Sequence, residues 1–290
     1  MPELPEVEVT RRRLKKLVVG RRIARVATTE PSYFFLTPPK TLARRLVGRT
    51  GTGLERHGKY LTLALDDGSA LLLHLGMTGQ LFASNAPGVR LLRFTDRKVA
   101  SSRGRDFRPD SHTHLRLAFA DRGPSVYFRD ARKFGKCQWL APGATSPRLE
   151  RLGTDALRID AQSLYAMCRE RRVSVKSLLL DQSAFAGVGN IYADEALFLA
   201  RIRPARPARG LSKHECVKLS ASVRAVLRRA IQRGGSTISD FVHPDGGAGA
   251  YQDERRVYAR GGEPCFICRR PIARMLIGQR SSHFCPRCQK

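Results

Sequence analysis

The sequence is short of acidic residues. Its 25 Asp and Glu stand against 53 Lys and Arg, which leaves a formal net charge of +28 over 290 residues. An excess of this size indicates a polyanionic partner, and nucleic acid is the usual one. Polybasic proteins also bind anionic membrane surfaces, so the charge alone does not separate these two classes of partner.

Long apolar segments are also lacking. No unbroken apolar run reaches the roughly 18 residues that a membrane-spanning helix needs. The first 16 residues are charged throughout and contain no apolar core of the kind that a secretory signal carries. We therefore expect a cytoplasmic protein without a membrane partner. Hydrophobic residues make up 42% of the chain, which is enough for buried cores.

The chain has seven cysteines, an odd number, and four of them lie in the last 26 residues. In a reducing compartment such a cluster indicates a metal site rather than disulfides. Cys265 and Cys268 form one C-x-x-C pair and Cys285 and Cys288 form another, with sixteen residues between the pairs. Four thiolates suit a closed, tetrahedral and structural Zn²⁺ site. We expect one structural zinc ion; free or redox thiols, or His283 as a ligand, are the alternatives.

The first half of the chain has a helix pattern followed by strand patterns. Over residues 5–19 the apolar positions share one face, glutamates occupy the first turn, basic residues occupy the last, and Gly20 follows. Hairpins are predicted over 59–75 and 114–130. Between them, residues 84–111 mix Arg, Gly, Ser and Pro and predict an exposed basic loop.

The second half has helical periodicity. Asp160 is predicted to cap one helix, and Ser212 with Glu215 has the spacing of a capping box at the head of another. The Gly-rich stretch 240–254 predicts a mobile loop. The predicted division is an N-terminal domain over 1–140, a linker over 141–154, a helical domain over 155–254 and a zinc-binding segment over 255–290.

Five sequence blocks occur in one order from the first residue to the last. They are MPELPEVE at the start, HLGMTGQL (74–81), RDARKFG (129–135), GVGNIYADEALF (187–198) and the terminal C-x2-C-x16-C-x2-C. Together they resemble the bacterial formamidopyrimidine-DNA glycosylase family over the whole chain. The resemblance implies an α+β multidomain protein: an N-terminal β-sandwich with a leading helix, a helical domain with a helix-two-turns-helix element, and a C-terminal β-hairpin zinc finger.

The resemblance also implies an activity. Members of this family are bifunctional DNA glycosylases and abasic-site lyases of base-excision repair. The expected substrate is double-stranded DNA containing oxidised purines such as 8-oxoguanine and formamidopyrimidines. The resemblance also implies a monomer that is associated with the nucleoid in a bacterial cytoplasm. The resemblance assigns the nucleophile to Pro2, which becomes a secondary amine when Met1 is removed, and proton transfer to Glu3. An α-amino group has a pKa of about 7.7–8, so a useful fraction is an unprotonated nucleophile at neutral pH.

The remaining catalytic positions match the later steps of the implied reaction. Attack of Pro2 on the sugar C1′ would give a Schiff base, and its positive charge would permit β- and then δ-elimination. Lys59 matches the residue that assists β-elimination and Arg280 the residue tied to δ-elimination. Glu6 is expected to support the site, although it could equally be an acidic residue of the first helical turn.

Further positions match contacts with DNA. They are His74, Met77, His112, Arg132, Phe134, Arg171, Asn190 and Tyr258. Met77, Arg132 and Phe134 match the intercalating residues that fill the gap left by a flipped nucleotide. Taken without the resemblance, Arg132 and Phe134 could be a turn arginine and a core phenylalanine. Ala131 stands where the family usually has proline. This difference removes no reacting group.

Three other functions are alternatives to this interpretation. An endonuclease VIII-type glycosylase would prefer oxidised pyrimidines, but those enzymes usually begin MPEGPE, whereas this chain has Leu4. A non-catalytic damage-binding or architectural protein would need the charge and the zinc finger but not Pro2, Glu3 and Lys59 together. A zinc-ribbon transcription factor would leave most of the chain unexplained.

Overall fold

The computed structural model describes residues 2–86, 90–92, 99–101, 109–237 and 241–290. The chain forms two compact units. The first unit runs to Glu150 and also includes Arg233–Gln252, whereas the second consists of Arg151–Gln232 and Asp253–Lys290. No helix within the described ranges combines the length and the apolar character needed to cross a bilayer. The four-part domain division predicted above stays a prediction.

Within its described residues, the first unit contains ten strands and three helices. In chain order they are α1 (Leu4–Val18), β1 (Ile23–Thr28), α2 (Pro39–Leu46), β2 (Gly51–His57), β3 (Tyr60–Leu65), β4 (Ala70–His74), β5 (Gly79–Ala83), β6 (Arg90–Leu92), β7 (Val99–Ser101), β8 (Thr113–Phe119), β9 (Val126–Asp130), β10 (Lys136–Leu140) and α3 (Pro147–Glu150).

Two four-stranded antiparallel sheets form the body of this unit. Their strand orders are β1-β8-β9-β5 and β10-β4-β3-β2. Both sheets contribute inward-facing side chains to one buried apolar cluster, as sheets packed face to face do. Its members include Leu54, Leu63 and Leu71 from one sheet and Leu81, Leu117 and Phe128 from the other. The predicted N-terminal sandwich is confirmed.

Helix α1 packs its apolar face into the same cluster. Val7, Leu14 and Val18 are at most 2% exposed because their spacing places them on one side of the helix. The helix ends at Val18, and Gly20 then adopts a positive φ of 77°. The predicted helix over 5–19 is thus confirmed to within one residue at each end.

Both predicted hairpins are confirmed. Strands β3 and β4 pair in register from Tyr60 opposite His74, and β8 pairs with β9. The predicted basic loop over 84–111 lies largely outside the described residues. Within it, β6 and β7 are described and pair with each other in an antiparallel ladder.

The second unit contains four helices and two small pairs of strands. They are β11 (Thr154–Asp155), α4 (Ala161–Glu170), α5 (Val175–Leu180), β12 (Phe185–Ala186), α6 (Asn190–Leu199), α7 (Lys213–Gln232), β13 (Ala273–Ile277) and β14 (Arg280–Phe284). Strands β13 and β14 form an antiparallel hairpin, and β11 pairs with β12. Short 3₁₀ turns lie at Ala156–Arg158, Ala208–Gly210 and Tyr251–Glu254.

The predicted helix caps of this unit are confirmed. The Asp160 carboxylate accepts a hydrogen bond from the Ser163 N–H at 2.8 Å. Ser212 and Glu215 form a reciprocal capping box: the Ser212 N–H donates to Glu215 Oε2 at 2.8 Å, and the Glu215 N–H donates to Ser212 Oγ at 3.2 Å. The helical domain and the hairpin zinc finger of the predicted fold are therefore both present.

The Gly-rich segment 240–254 belongs to the first unit up to Gln252. Residue 240 lies outside the described residues, and from 241 onward the segment is tied back to residues 233–235. The Ala250 N–H donates to the Arg233 carbonyl at 2.9 Å and the Tyr251 N–H donates to the Gly235 carbonyl at 3.0 Å. The mobility expected for this segment stays a prediction.

A buried carboxylate joins α1 to β2. Glu8 is 6% exposed and forms ion pairs with Arg11 at 2.9 Å, Arg12 at 2.8 Å and Arg56 at 3.1 Å. Burial by itself would raise the pKa of Glu8, but the hydrogen bonds from the three guanidinium groups outweigh it and lower the pKa to about 2.

Replacement of this carboxylate should reduce stability in a pH-dependent way. We expect Glu8→Gln to lower the free energy of unfolding at pH 7 by on the order of 2 kcal/mol, because three cations lose their partner. Glu8 has a lower pKa when folded than the usual 4.5, so its contribution is complete above pH 4.5 and declines toward pH 2. Urea unfolding of both proteins between pH 7 and pH 3 measures this. A difference that stays constant over that range would contradict the assignment.

Candidate functional site

The first residues of the chain are buried at the start of α1. Pro2 is buried, and Glu3, directly before the helix, is 3% exposed. The Glu3 N–H donates a hydrogen bond to Glu6 Oε2 at 2.8 Å. Glu6 is itself 2% exposed, and its Oε1 accepts a hydrogen bond from the Ser236 N–H at 2.7 Å. The Glu6 carboxylate therefore fixes the N-terminal residues to the segment Arg233–Gln252.

The segment Arg233–Gln252 approaches the Glu6 side chain so closely that position 235 requires glycine. Gly235 has a positive φ of 77°, and a Cβ placed there would lie 2.9 Å from Glu6 Oε1. A side chain at this position would thus face both backbone strain and a clash with the carboxylate.

Lys59 lies in the tight turn between β2 and β3 and is 8% exposed. The preceding Gly58 adopts a positive φ of 55°, and its carbonyl accepts a hydrogen bond from Arg56 Nη1 at 2.9 Å. Because Arg56 also binds Glu8 of α1, the turn that carries Lys59 is fixed to the helix that directly follows Pro2 and Glu3.

His74 ends β4 and pairs with Tyr60, the residue after Lys59. The rings of Tyr60 and His74 have centroids 4.5 Å apart. Burial lowers the pKa of His74 to about 4, and the positive charges of Lys59, Arg148 and Lys136 act in the same direction. His74 is therefore a neutral imidazole at pH 7.

The three predicted intercalating residues lie on two adjacent loops. Met77 is on the loop between β4 and β5, whereas Arg132 and Phe134 are on the loop between β9 and β10. The loops touch at Gly76, where a Cβ would lie 2.4 Å from the Gly135 nitrogen. Phe134 and Met77, on the two touching loops, are 41% and 40% exposed. The Arg132 guanidinium lies 4.6 Å from the centre of the Phe134 ring.

A fully buried carboxylate holds this second loop. Asp130 accepts hydrogen bonds from the Gly135 N–H at 2.6 Å, the Arg132 N–H at 3.3 Å and the Thr78 hydroxyl. The Asp130 N–H in turn donates to the His112 carbonyl at 2.8 Å, which places predicted residue His112 beside the same loop. These bonds define the turn that contains Ala131.

In the second unit, Asn190 and Arg280 are linked through the hairpin. Asn190 is the first residue of α6, and its Nδ2 donates to the Ser281 carbonyl at 2.9 Å. Arg280 precedes Ser281 and is exposed, directly after the hairpin turn. In that turn Gly278 and Gln279 both have positive φ, 54° and 62°, which is the pattern of a type I′ turn.

A buried ion pair attaches the same hairpin to the helices. The Lys176 ammonium lies 2.7 Å from Asp194 Oδ1 and donates to the Ser281 carbonyl at 3.0 Å, and both side chains are fully buried. Asp194 also accepts hydrogen bonds from the Ser282 hydroxyl at 3.0 Å and the His283 N–H at 2.8 Å. The strand that begins with Arg280 is thereby fixed to α5 and α6.

Tyr258 is positioned by the neighbouring carboxylate of α6. Glu195 is 2% exposed and accepts hydrogen bonds from the N–H groups of Arg256, Val257 and Tyr258 at 2.8–2.9 Å. The Tyr258 ring packs edge-on against His283, with the ring centres 5.4 Å apart. Predicted residue Arg171 follows α4 instead, is exposed and lies 3.3 Å from Asp181.

The four cysteines of the C-terminal segment come together. Their Sγ atoms all lie within 4.8 Å of one another. Zinc–sulfur bonds of about 2.3 Å in a tetrahedron require sulfur–sulfur distances of about 3.8 Å. The separations of Cys265 from Cys288, 4.0 Å, and of Cys268 from Cys285, 3.4 Å, fit that requirement. The Ile267 N–H and Cys288 N–H also point at Cys265 Sγ and Cys285 Sγ, both at 3.4 Å. The residues present thus fit a structural zinc ion.

The sequence patterns did not predict the buried charged residues that hold the candidate residues in place. Glu8, Arg56, Lys176 and Asp194 lie at ordinary positions in helices and strands, and only tertiary contacts reveal them as buried pairs. The one available signal was the adjacent pair of carboxylates, Asp194 and Glu195, in the otherwise apolar helix α6.

Three family models match the chain. The formamidopyrimidine-DNA glycosylase N-terminal domain matches residues 1–137, the formamidopyrimidine-DNA glycosylase H2TH domain matches 152–242, and the zinc finger found in FPG and IleRS matches 262–290. Among curated relatives, the formamidopyrimidine-DNA glycosylases of Thioalkalivibrio sulfidiphilus and Cupriavidus pinatubonensis are 40% and 43% identical, and the alignments cover 100% of both chains in each case.

The chain is also similar to solved structures of formamidopyrimidine-DNA glycosylases. The MutM (Fpg) protein of Thermus thermophilus is 39% identical and superimposes with a TM-score of 0.83 over 99% of this chain and 98% of that one. A Lactococcus lactis Fpg mutant in complex with a Fapy-dG-containing DNA is 32% identical, with a TM-score of 0.86 over 100% of both chains.

The sandwich, the helical unit and the four-cysteine hairpin define a zinc-finger protein of the helix-two-turns-helix class. With full-length identity of 40% or more to curated members, the chain belongs to the formamidopyrimidine-DNA glycosylase family. The resemblance stated from the sequence is confirmed, and so is the presence of a zinc finger domain.

The proximity of Lys59 to His74 is open to direct measurement. We expect the His74 imidazole to titrate near pH 4 in the folded protein, and Lys59→Ala to raise that midpoint because one of the positive charges is removed. Since the pKa of His74 is lowered from 6.5, its protonation should destabilise the fold as the pH falls from 6.5 toward 4. Histidine NMR titration measures the midpoint. Arg228→Ala, in the other unit, should leave it unchanged.

The metal centre gives a second prediction. Protein purified without added metal should contain about one zinc per chain, because four thiolates close one tetrahedral site. Cys285→Ala should lose this zinc, whereas Cys168→Ala, outside the cluster, should retain it. Elemental analysis of the three proteins provides the measurement. Wild-type protein without zinc would exclude the assignment.

Proposed function

We propose that the protein is a DNA glycosylase of base-excision repair that removes oxidised purines, such as 8-oxoguanine and formamidopyrimidines, and then cleaves the strand as an abasic-site lyase. Family membership supports the glycosylase activity. The structures of Lactococcus lactis Fpg with Fapy-dG-containing and abasic-site-containing DNA support these two kinds of substrate.

One observation carries the catalytic part of the proposal. Pro2, Glu3 and Lys59 are all buried in one unit, and two buried carboxylates of α1 bind next to Glu3 and to the turn that carries Lys59. Glu6 holds Glu3, while Glu8 holds Arg56 and through it the Lys59 turn. The start of a helix does not by itself require a buried lysine in a turn that is fixed to the same helix. An arrangement of this kind suits catalysis, which needs its groups fixed before substrate arrives.

In the proposed reaction Pro2 is the nucleophile. Its secondary amine, free once Met1 is removed, attacks the sugar C1′ as the bond from C1′ to the damaged base breaks. The departing base takes up a proton, and Glu3 is the group placed to transfer protons at the sugar or the base. The sugar ring opens, and the bond between nitrogen and C1′ becomes a positively charged iminium.

Strand cleavage follows from that positive charge. The iminium acidifies the C2′ proton, whose loss expels the 3′ phosphate by β-elimination, and a second proton loss expels the 5′ phosphate by δ-elimination. We assign assistance of the first step to Lys59 and binding of the phosphate in the second to Arg280. Glu6 acts as a positioning residue because it holds the Glu3 backbone.

The remaining predicted residues bind the DNA in this proposal. Met77, Arg132 and Phe134 would fill the gap left by the flipped nucleotide, and the exposure of both apolar side chains supports this role. His74, His112, Arg171, Asn190 and Tyr258 would contact the backbone around the lesion. His74, neutral at pH 7, would serve as a hydrogen-bond donor and not as a cation. The protein would act as a monomer with one structural zinc ion.

A trapping experiment tests the proposal. The protein is incubated with duplexes containing 8-oxoguanine opposite cytosine, or thymine glycol, in the presence of borohydride. We expect a covalent adduct with the oxidised-purine duplex, located at Pro2 by peptide mapping. Preference for thymine glycol would favour an endonuclease VIII-type specificity. Absence of both adduct and strand cleavage on oxidised and abasic substrates would favour a non-catalytic damage-binding protein.

The matched control is the same protein with a Gly-Ser extension left before Pro2. The extension converts the amine to an amide, so trapping and base excision should fall by roughly a thousandfold or more, while the melting temperature and the affinity for abasic-site DNA change little. An adduct of equal yield in the extended protein, mapped to a lysine, would show that Pro2 is not the nucleophile.

A further inference from the structure

The second unit has an open cleft of about 630 Å³ between the C-terminal end of α6, the start of α7 and the zinc finger. We define this basic cleft by Arg201, Lys218, Arg287 and Lys290, together with Ile267. The two partly exposed cysteines of the zinc cluster, Cys268 and Cys288, form part of its wall.

The four basic residues of the cleft are exposed, and no carboxylate pairs with any of them among the described residues. Glu215 also lines the cleft, but its carboxylate is already bound by Arg206, with Nη2 donating to Oε2 at 2.9 Å. The same carboxylate accepts a hydrogen bond from the Ser212 N–H. These four positive charges exceed the net charge of −2 that four thiolates give to one Zn²⁺, and the excess of positive charge favours an anionic ligand.

Main-chain hydrogen bonds fix the backbone at two of these four positions. The Arg203 N–H donates to the Lys290 carbonyl at 2.8 Å, and the Lys290 N–H donates to the Arg201 carbonyl at 3.1 Å. Arg201 itself adopts a positive φ of 61° directly after α6. Two segments of chain far apart in sequence are thereby paired, so the charges at positions 201 and 290 lie on a fixed frame.

The cleft also has an apolar part. Ile267 is 61% exposed, and it lies on the zinc-binding loop that lines the cleft. Nothing in the metal site requires a large aliphatic side chain to face solvent there. A ligand that presents both carboxylates and an apolar side chain would therefore complement the cleft better than a purely ionic one.

The cleft is remote from the DNA-contacting positions proposed for this unit. Asn190 begins α6 and Arg201 follows its end, and a helix of 10 residues is about 15 Å long. Arg280 is at the turn end of the β13–β14 hairpin, whereas Cys288 and Arg287 follow its opposite end. DNA bound at Asn190 and Arg280 would leave the cleft open.

We propose that this basic cleft is a docking site for an acidic peptide segment of a partner protein, one that carries an apolar residue among its carboxylates. The carboxylates would pair with Arg201, Lys218, Arg287 and Lys290, and the apolar residue would cover Ile267. A nucleic acid backbone would match the charge but would leave Ile267 exposed, so the observations favour a peptide. The inference does not depend on the proposed glycosylase reaction.

The test measures binding by fluorescence polarisation with the full-length, zinc-loaded protein. The probes are a labelled hexapeptide, Asp-Asp-Leu-Asp-Asp-Phe, and the same peptide with serine in place of both apolar residues. We expect Arg201→Glu with Arg287→Glu to weaken binding of the first peptide at least tenfold. The matched control, Arg158→Glu with Arg228→Glu, makes the same charge change at exposed positions of the same unit and should alter binding less than twofold.

Ile267→Ser tests the apolar part of the cleft. It should remove most of the difference in affinity between the two peptides without affecting the serine peptide. Zinc content and melting temperature verify that each variant folds. If Arg158→Glu with Arg228→Glu weakened peptide binding by the same factor, the effect would come from net charge alone, and the proposal would be overturned. If Arg201→Glu with Arg287→Glu instead lowered the affinity for an undamaged duplex tenfold and left peptide binding unchanged, the cleft would be a nucleic-acid surface. That result would also overturn the proposal.

Discussion

A buried carboxylate needs donors around it, and this requirement organises both units. In a chain with about half as many acids as bases, several of the acids are withdrawn from the surface. Glu6, Glu8, Asp130, Asp194 and Glu195 are all at most 6% exposed. Each is surrounded by backbone N–H groups or by cations, because an unsatisfied buried charge would be strongly destabilising. The same withdrawal leaves still fewer acids to balance the surface lysines and arginines, so the surface is correspondingly positive.

Within each unit, these carboxylates bind the backbone or a neighbour of a candidate residue. Glu6 holds the first residues of the chain, Glu8 holds the turn of Lys59 through Arg56, and Asp130 shapes the loop with the exposed Phe134. In the second unit Asp194 and Glu195 fix the hairpin strand and the Tyr258 segment to α6. The candidate residues are thus held by buried acids that lie next to them in the fold. Such preorganisation is what a site requires if it is to act without costly rearrangement.

Much of the fold could be predicted, for reasons that differ between elements. Helix α1, the two hairpins and the helix caps follow from local patterns, since periodicity and capping act over a few residues. The zinc cluster follows from cysteine spacing, and the proximity of all four sulfur atoms agrees with it. The buried pairs could not be predicted, because Lys176 and Asp194 are separated in sequence and look like ordinary surface charges. Local patterns also could not predict that Arg233–Gln252 belongs to the first unit, although it follows most of the second unit in the chain.

The sequence by itself determined the family, the fold class and the identity of the candidate residues, since five ordered blocks and a cysteine spacing are properties of the chain. Tertiary structure alone decided how those residues are held. It brought Ser236 to Glu6 and set Arg56 between Glu8 and the Lys59 turn. It also gathered Arg201 and Lys290 into one basic cleft. The physical reason is that burial and charge pairing depend on distance in space, which folding creates between residues that local sequence patterns cannot relate.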